Sequence, residues 1–237
     1  YWDKLVAKQP GLADAHLNRA IAAANARDHE GAVRAADDGL KRFPGHARLL
    51  AVKALALKDS GKIPEAVAVF EQAVASDPGR ALTRHNQAVT LRAACRFDEA
   101  CEAFSEAERL GLKGAQFRAN WAAAALEAHR VEEAEKLYEQ ALAEDVGHEE
   151  ARRGLTRLKM EYRGGEGAFA HYEAAAMQRQ GDPKAWFDWS NALIVNRRLD
   201  EAKSVAELGL SANPDSRELK ATAAFAEGMT GDASTAL

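Results

Sequence analysis

The side chains able to do chemistry are few and scattered. Seven histidines occur in the 237 residues, and no two stand four apart on one helix face, so a helical zinc pair is absent. His148 beside Glu149 and Glu150 offers donors to a metal, but a loop followed by an acidic helix start accounts for the same three residues. Cys95 and Cys101 are spaced neither as a zinc pair nor as a Cys-x-x-Cys redox couple. They read as free structural thiols in a reducing, cytoplasmic setting. No nucleophile elbow, phosphate loop or dinucleotide glycine pattern appears. Gly164-Gly165 with Gly167 is too short, and with Glu166 too acidic, to cradle phosphate. The residues give no catalytic set, no cofactor site and no metal site, and the chain reads as a non-enzyme.

What remains is recognition chemistry. Arg153, Arg157 and Lys184 gather positive charge that could hold an acidic peptide or a terminal carboxylate. Plain ion pairing on a helix surface is the alternative, with Glu149 four before Arg153 and Arg157 four before Glu161. A formal net charge of -4 opposes general nucleic-acid binding, which needs a basic surplus. No run of eighteen apolar residues exists to span a membrane.

The elements that position these groups follow from one regularity. Alanine recurs every thirty-four residues, at Ala32, Ala66, Ala100, Ala134, Ala168, Ala202 and Ala236. A fixed period of this size means stacked copies of one small unit. With that alanine as the twentieth place, the repeats are 13–46, 47–80, 81–114, 115–148, 149–182, 183–216 and a truncated 217–237. All belong to one solenoid domain. Residues 1–12 fit the second helix of a truncated preceding repeat, with Trp2, Leu5 and Pro10 in the matching columns. The whole therefore reads as a segment of a longer polypeptide.

Other columns align without gaps. The eighth place is small: Ala20, Ala54, Ala88, Ala122, Thr156, Ser190 and Ala224. So is the twenty-seventh: Gly39, Ala73, Ala107, Ala141, Ala175 and Gly209. Small residues let two helix backbones approach, and a larger one would clash at about 1–3 kcal/mol. Phe70, Phe104, Tyr138 and Tyr172 share the twenty-fourth place and supply bulk between repeats. Pro10, Pro44, Pro78 and Pro214 close repeats. Gly61 and Gly231 mark a turn inside the repeat, and acidic pairs such as Asp98-Glu99 open the second helix. Each repeat is thus two antiparallel helices of about fourteen residues, roughly 21 Å long.

At these positions the chain resembles the tetratricopeptide repeat family. The second repeat matches best, with Ala54, Gly61, Ala66, Phe70, Ala73 and Pro78; the sixth adds the signature aromatic Trp186. Trp121 and Trp189, both in the seventh place, are expected in the core. The fifth repeat departs most: Gly154 is expected to interrupt its first helix, and a bend or loosened stacking is expected over 146–182.

The resemblance implies an all-α solenoid, a right-handed superhelix of antiparallel helix pairs whose first helices line a concave face. On that face the sixth place carries Asn18, Asn86, Asn120 and Asp188, and carboxamides can bond an extended peptide backbone. They equally fit a solvated helix side. The ninth place carries Ile21, Leu55, Val89, Arg157 and Asn191, and the fifth adds Leu17, His85, Arg153 and Phe187. This strip suits an amphipathic partner. Mutual burial is the plainer account of Ile21 and Leu55, and ligand contact that of Phe187. The family's carboxylate clamp for chaperone tails is not reproduced, because Arg157 and Asp188 stand where its asparagines belong.

The function so implied is a protein–protein interaction scaffold that holds a peptide or protein segment, acidic or amphipathic. Two other roles fit. The array resembles bacterial substrate-recruiting arms fused to sulfotransferases, glycosyltransferases or iron/2-oxoglutarate oxygenases. Exposed apolar helix faces at either end could also pair copies end to end.

Overall fold

The computed structural model describes residues 1–163, 165 and 167–234, with side chains to residue 230. Gly164, Glu166, Ala236 and Leu237 lie outside the described residues. Among those described there are fourteen helices and no strand. Helix α1 is Trp2–Lys8. The pairs follow as α2 (Ala13–Asn25) with α3 (His29–Arg42), α4 (Ala47–Asp59) with α5 (Ile63–Ser76), and α6 (Ala81–Ala93) with α7 (Phe97–Arg109). Then come α8 (Ala115–Glu127), α9 (Val131–Glu144), α10 (Glu149–Tyr162), α11 (Ala170–Gln178), α12 (Pro183–Val195), α13 (Leu199–Ala212) and α14 (Arg217–Ser234). None is long and apolar enough to cross a membrane. The chain divides into two compact units, Tyr1–Leu137 and Tyr138–Leu237, with the division inside α9.

The small columns are the helix–helix contacts. In the first unit Ala20, Ala54, Ala88 and Ala122 of the eighth place are fully buried, as are Ala32, Ala66, Ala100 and Ala134 of the twentieth. In the second unit Thr156 and Ser190 take the eighth place. Each hydroxyl donates to the carbonyl four residues back, at 2.8 and 3.0 Å, so neither is buried unpaired. A Cβ on Gly209 would sit 2.7 Å from the Cβ of Trp186, which is why the twenty-seventh place there is stripped to hydrogen. Ala224 of α14 has no second helix described against it and is exposed.

Side chains in the thirty-fourth place cap the next first helix. The His46 and His148 imidazoles accept from the amides of Leu49 and Ala151, at 3.3 and 3.2 Å, and Asp182 accepts from Lys184 at 3.0 Å. His148 is thus a helix cap, and no group of metal-binding side chains exists among the described residues.

In the first four repeats and the sixth, the turn between the two helices is a Schellman closure. The amide of the sixteenth place reaches back five residues: Asp28 to Ala23, Lys62 to Leu57, Arg96 to Leu91, Arg130 to Ala125 and Arg198 to Leu193, all within 3.0 Å. The fifteenth place is then left-handed. Gly61 supplies this at φ 81, but Arg27, Cys95, His129 and Arg197 adopt φ of 58 to 60 with a Cβ. Cys95 is therefore exposed on a turn, and only Cys101 is a buried thiol. At Gly231 the expected turn is absent, because α14 runs on to Ser234.

Gly154 does not interrupt α10, which is continuous over fourteen residues. Its role is space: a Cβ there would run into the ring of Tyr138. Within 146–182 the irregular element is α11, which is cut to nine residues, behind a turn where Gly165 and Gly167 take positive φ. Phe169, Tyr172, Trp186, Leu193 and Leu219 form the core of this unit. Trp189 is only partly buried and packs on that core, its ring stacked on Trp186 at 6.1 Å.

Beneath α10, His171 Nε2 lies 3.2 Å from the Thr156 hydroxyl. Burial, then the charges of Arg152 and Lys159, lowers the pKa of this imidazole to about 4. An unfolded histidine titrates near 6.5. The folded state therefore binds fewer protons between these values. The stability linked to this group is complete above about pH 6.5 and falls as pH drops toward 4.

His129→Gly should stabilise the fold by about 1 kcal/mol in urea unfolding, because glycine removes the left-handed Cβ penalty; a neutral result would mean the turn is unstrained. Lowering the pH from 7 to 4 should cost the wild type up to about 3 kcal/mol more than His171→Gln, since each tenfold loss of proton affinity is worth about 1.4 kcal/mol. Parallel pH profiles would show that His171 does not carry this dependence.

Candidate binding cleft

In the second compact unit, α10 and α12 are the first helices of successive repeats, and between them lies a cleft of about 660 Å³. That is within the range of sites holding a ligand or a few residues of peptide. One wall is a single face of α10, carrying Arg152, Arg153, Arg157 and Met160. The other is α12, with Asp188, Asn191 and Val195, and the ring of Tyr172 from α11 forms the floor.

The charges here are mostly engaged. Arg152 is buried, lies 5.0 Å over the Tyr172 ring, and donates to Asp188 at 2.9 Å. It thus ties α10 to α12 at the base of the cleft. Asp188 also accepts from Lys184 at 2.8 and 2.9 Å. Arg153 pairs with Glu149, as the four-residue spacing suggests. Arg157 does not pair with Glu161: both are exposed on the cleft rim, and among the described residues neither has an ion-pair partner. The apolar lining is open, with Met160 36% and Val195 73% exposed.

Four of the expected residues, Arg153, Arg157, Asp188 and Asn191, therefore share this cleft. Lys184 joins it through Asp188. Phe187 does not: it is partly buried against the core and lies outside the lining. The fifth place is not uniformly outward, since Leu17 is fully buried. Sequence reasoning misses Arg152 and Tyr172 because both occupy columns that the repeat assigns to the core. The available signal is a basic residue in the fourth place, where Trp186 is the pattern's aromatic.

In the first compact unit, Asn18, Asn86 and Asn120 are all half-buried. The Asn120 carboxamide accepts from Gln116 at 3.3 Å. Ile21, Leu55 and Val89 are likewise half-buried. His85 sits 5.7 Å from both Phe104 and Phe117, and burial, then Lys58, lowers its pKa.

The tetratricopeptide repeat family model matches residues 17–81 and 51–115. No curated protein matches the chain in sequence. Solved structures do match in fold. YrrB, a tetratricopeptide-repeat protein with an unusual peptide-binding site, is 15% identical at a TM-score of 0.55, over 79% of this chain and 96% of that one. PilW, a widely conserved type IV pilus biogenesis factor, is 17% identical at 0.66, over 88% and 97%. PilF of Pseudomonas aeruginosa is 19% identical at 0.64, over 90% and 96%. Likeness at such identities is one of architecture alone. The family model thus identifies tetratricopeptide repeats over residues 17–115, and the same 34-residue columns and helical fold continue beyond them.

Proposed function

We propose that this protein is an interaction scaffold that holds an acidic or amphipathic segment of a partner protein in the α10–α12 cleft. The observation that carries this is a cleft whose frame is fixed while its rim is not. Arg152, Asp188 and Tyr172 lock one another in place, and Arg157, Asn191 and Val195 are left open. A preorganised frame lowers the ordering cost of association. The peptide-binding site named for YrrB favours the same reading. The half-buried Asn18, Asn86 and Asn120 are a second candidate peptide surface, borne by the first compact unit.

One observation favours self-association as well. Phe225 and Met229 on α14 are 53% and 48% exposed, an apolar stripe that a second copy could cover. Light scattering should then show mass rising with concentration, and a constant monomer mass would remove this role.

For partner binding, reversing both Arg153 and Arg157 to Glu should weaken a partner captured by the intact protein by about 1–3 kcal/mol, read by calorimetry. The melting temperature should barely move, since the only described pair lost is the exposed one with Glu149. Unchanged affinity would remove the cleft from the proposal.

A further inference from the structure

We infer that the α10–α12 cleft selects its partner by two adjacent groups: a bulky apolar side chain seated between Met160 and Val195 over Tyr172, and a carboxylate paired with Arg157. This rests on the reading of the cleft as the partner site, and it names the chemistry read there.

Elimination among the charges singles out Arg157. Four cations surround the cleft. Arg152 is buried and committed to Asp188 and the Tyr172 ring. Lys184 is committed to the same Asp188, and Arg153 to Glu149. Among the described residues Arg157 alone of the four lacks an anionic partner, although Glu161 stands one turn away on the same helix. An exposed guanidinium at a concave rim is the group that a partner carboxylate can reach without breaking an existing pair. Glu161, also unpaired among the described residues, disfavours a second carboxylate at the next turn and so limits the partner to one acid at this point.

The apolar half of the code is set by position. Met160 and Glu161 follow Arg157 on α10 within about one turn, so the apolar opening and the free cation lie side by side. Val195, facing them from the last turn of α12, is 73% exposed, an unusual place for a branched aliphatic residue unless something covers it. Asn191, also in the lining, presents a carboxamide to a backbone running past. An acid without the apolar neighbour would leave Val195 and Met160 in water; an apolar group without the acid would leave Arg157 unmatched.

The probe is a displayed library of random decapeptides, selected against the whole chain, Arg157→Glu and Val195→Asp. Both substitutions are on exposed side chains, and melting curves check that the fold is kept. The wild type should enrich peptides with Leu, Ile, Met, Phe or Trp within four residues of a single Asp or Glu. Arg157→Glu should shift that acid to Lys or Arg, and Val195→Asp should erase the apolar preference. In a synthesised consensus peptide, Asp→Asn should weaken binding about three- to tenfold at low salt, and less at high salt. A consensus with no acid, or one unmoved by Arg157→Glu, overturns the inference. If enriched peptides depend on Asn86 and Asn120 but on neither cleft substitution, the scaffold reading stands and this cleft chemistry falls. If nothing enriches, both fall.

Discussion

The structure depends on contacts the size of a methyl group. In the complete repeats the eighth, twentieth and twenty-seventh places are alanine, glycine, serine or threonine, and all are buried. Such residues bury little apolar area each, so this seam is not where most hydrophobic stabilisation arises. Its role is geometric. It sets how near the backbones come, and hence how far the larger groups, Phe70, Phe104, Tyr138, Tyr172 and Trp186, reach into the adjoining repeat. Because the seam residues are themselves near minimal size, the tolerance is one-sided. Shrinking a residue removes a methyl, whereas enlarging one drives it into a packed side chain, as the 2.7 Å from a Cβ on Gly209 to the Cβ of Trp186 illustrates.

A seam so strict frees other positions. The left-handed turn is held at its ends by the Schellman bonds and by the two packed helices, so its own residue need not favour it. Arginine, cysteine and histidine are all tolerated there, at about 1–2 kcal/mol of strain each. Ion pairs between successive repeats are similarly loose in sequence. Arg92 pairs bidentately with Glu127 thirty-five residues on, Arg130 with Asp98 thirty-two back, and Arg152 with Asp188 thirty-six on. None of these offsets equals the repeat, so no column displays them. Reading down columns reveals the buried seam, which is strictly periodic, and hides the pairs that link one repeat to the next.

The same distinction separates what is legible at the cleft from what is not. Arg153, Arg157, Asp188 and Asn191 lie in columns that face outward by helical geometry, and they face the cleft. Phe187 shares its column with Arg153 yet turns to the core. Its ring has apolar neighbours to join where a guanidinium would have to be desolvated. Column position thus fixes the direction of a backbone bond, and side-chain chemistry decides which surface is taken. Arg152 is the converse case. A cation in a core column can be buried only because Asp188 and the Tyr172 ring meet it, and both partners are distant in sequence.

The cleft also sits where the repeat is least regular. A second helix normally supplies about fourteen residues to buttress the first helices on either side. Here the turn through Gly165 and Gly167 uses up that length, and α11 keeps nine. Met160 and Val195, in the outward twelfth and thirteenth places at the ends of α10 and α12, stand in the open, where the thirteenth place of the first three repeats exposes Asn25, Asp59 and Ala93. Arg152 and Asp188 close the base of the same gap with a pair rather than with a methyl contact. A polar bridge keeps the walls in position without filling the space between them, which a regular repeat cannot do.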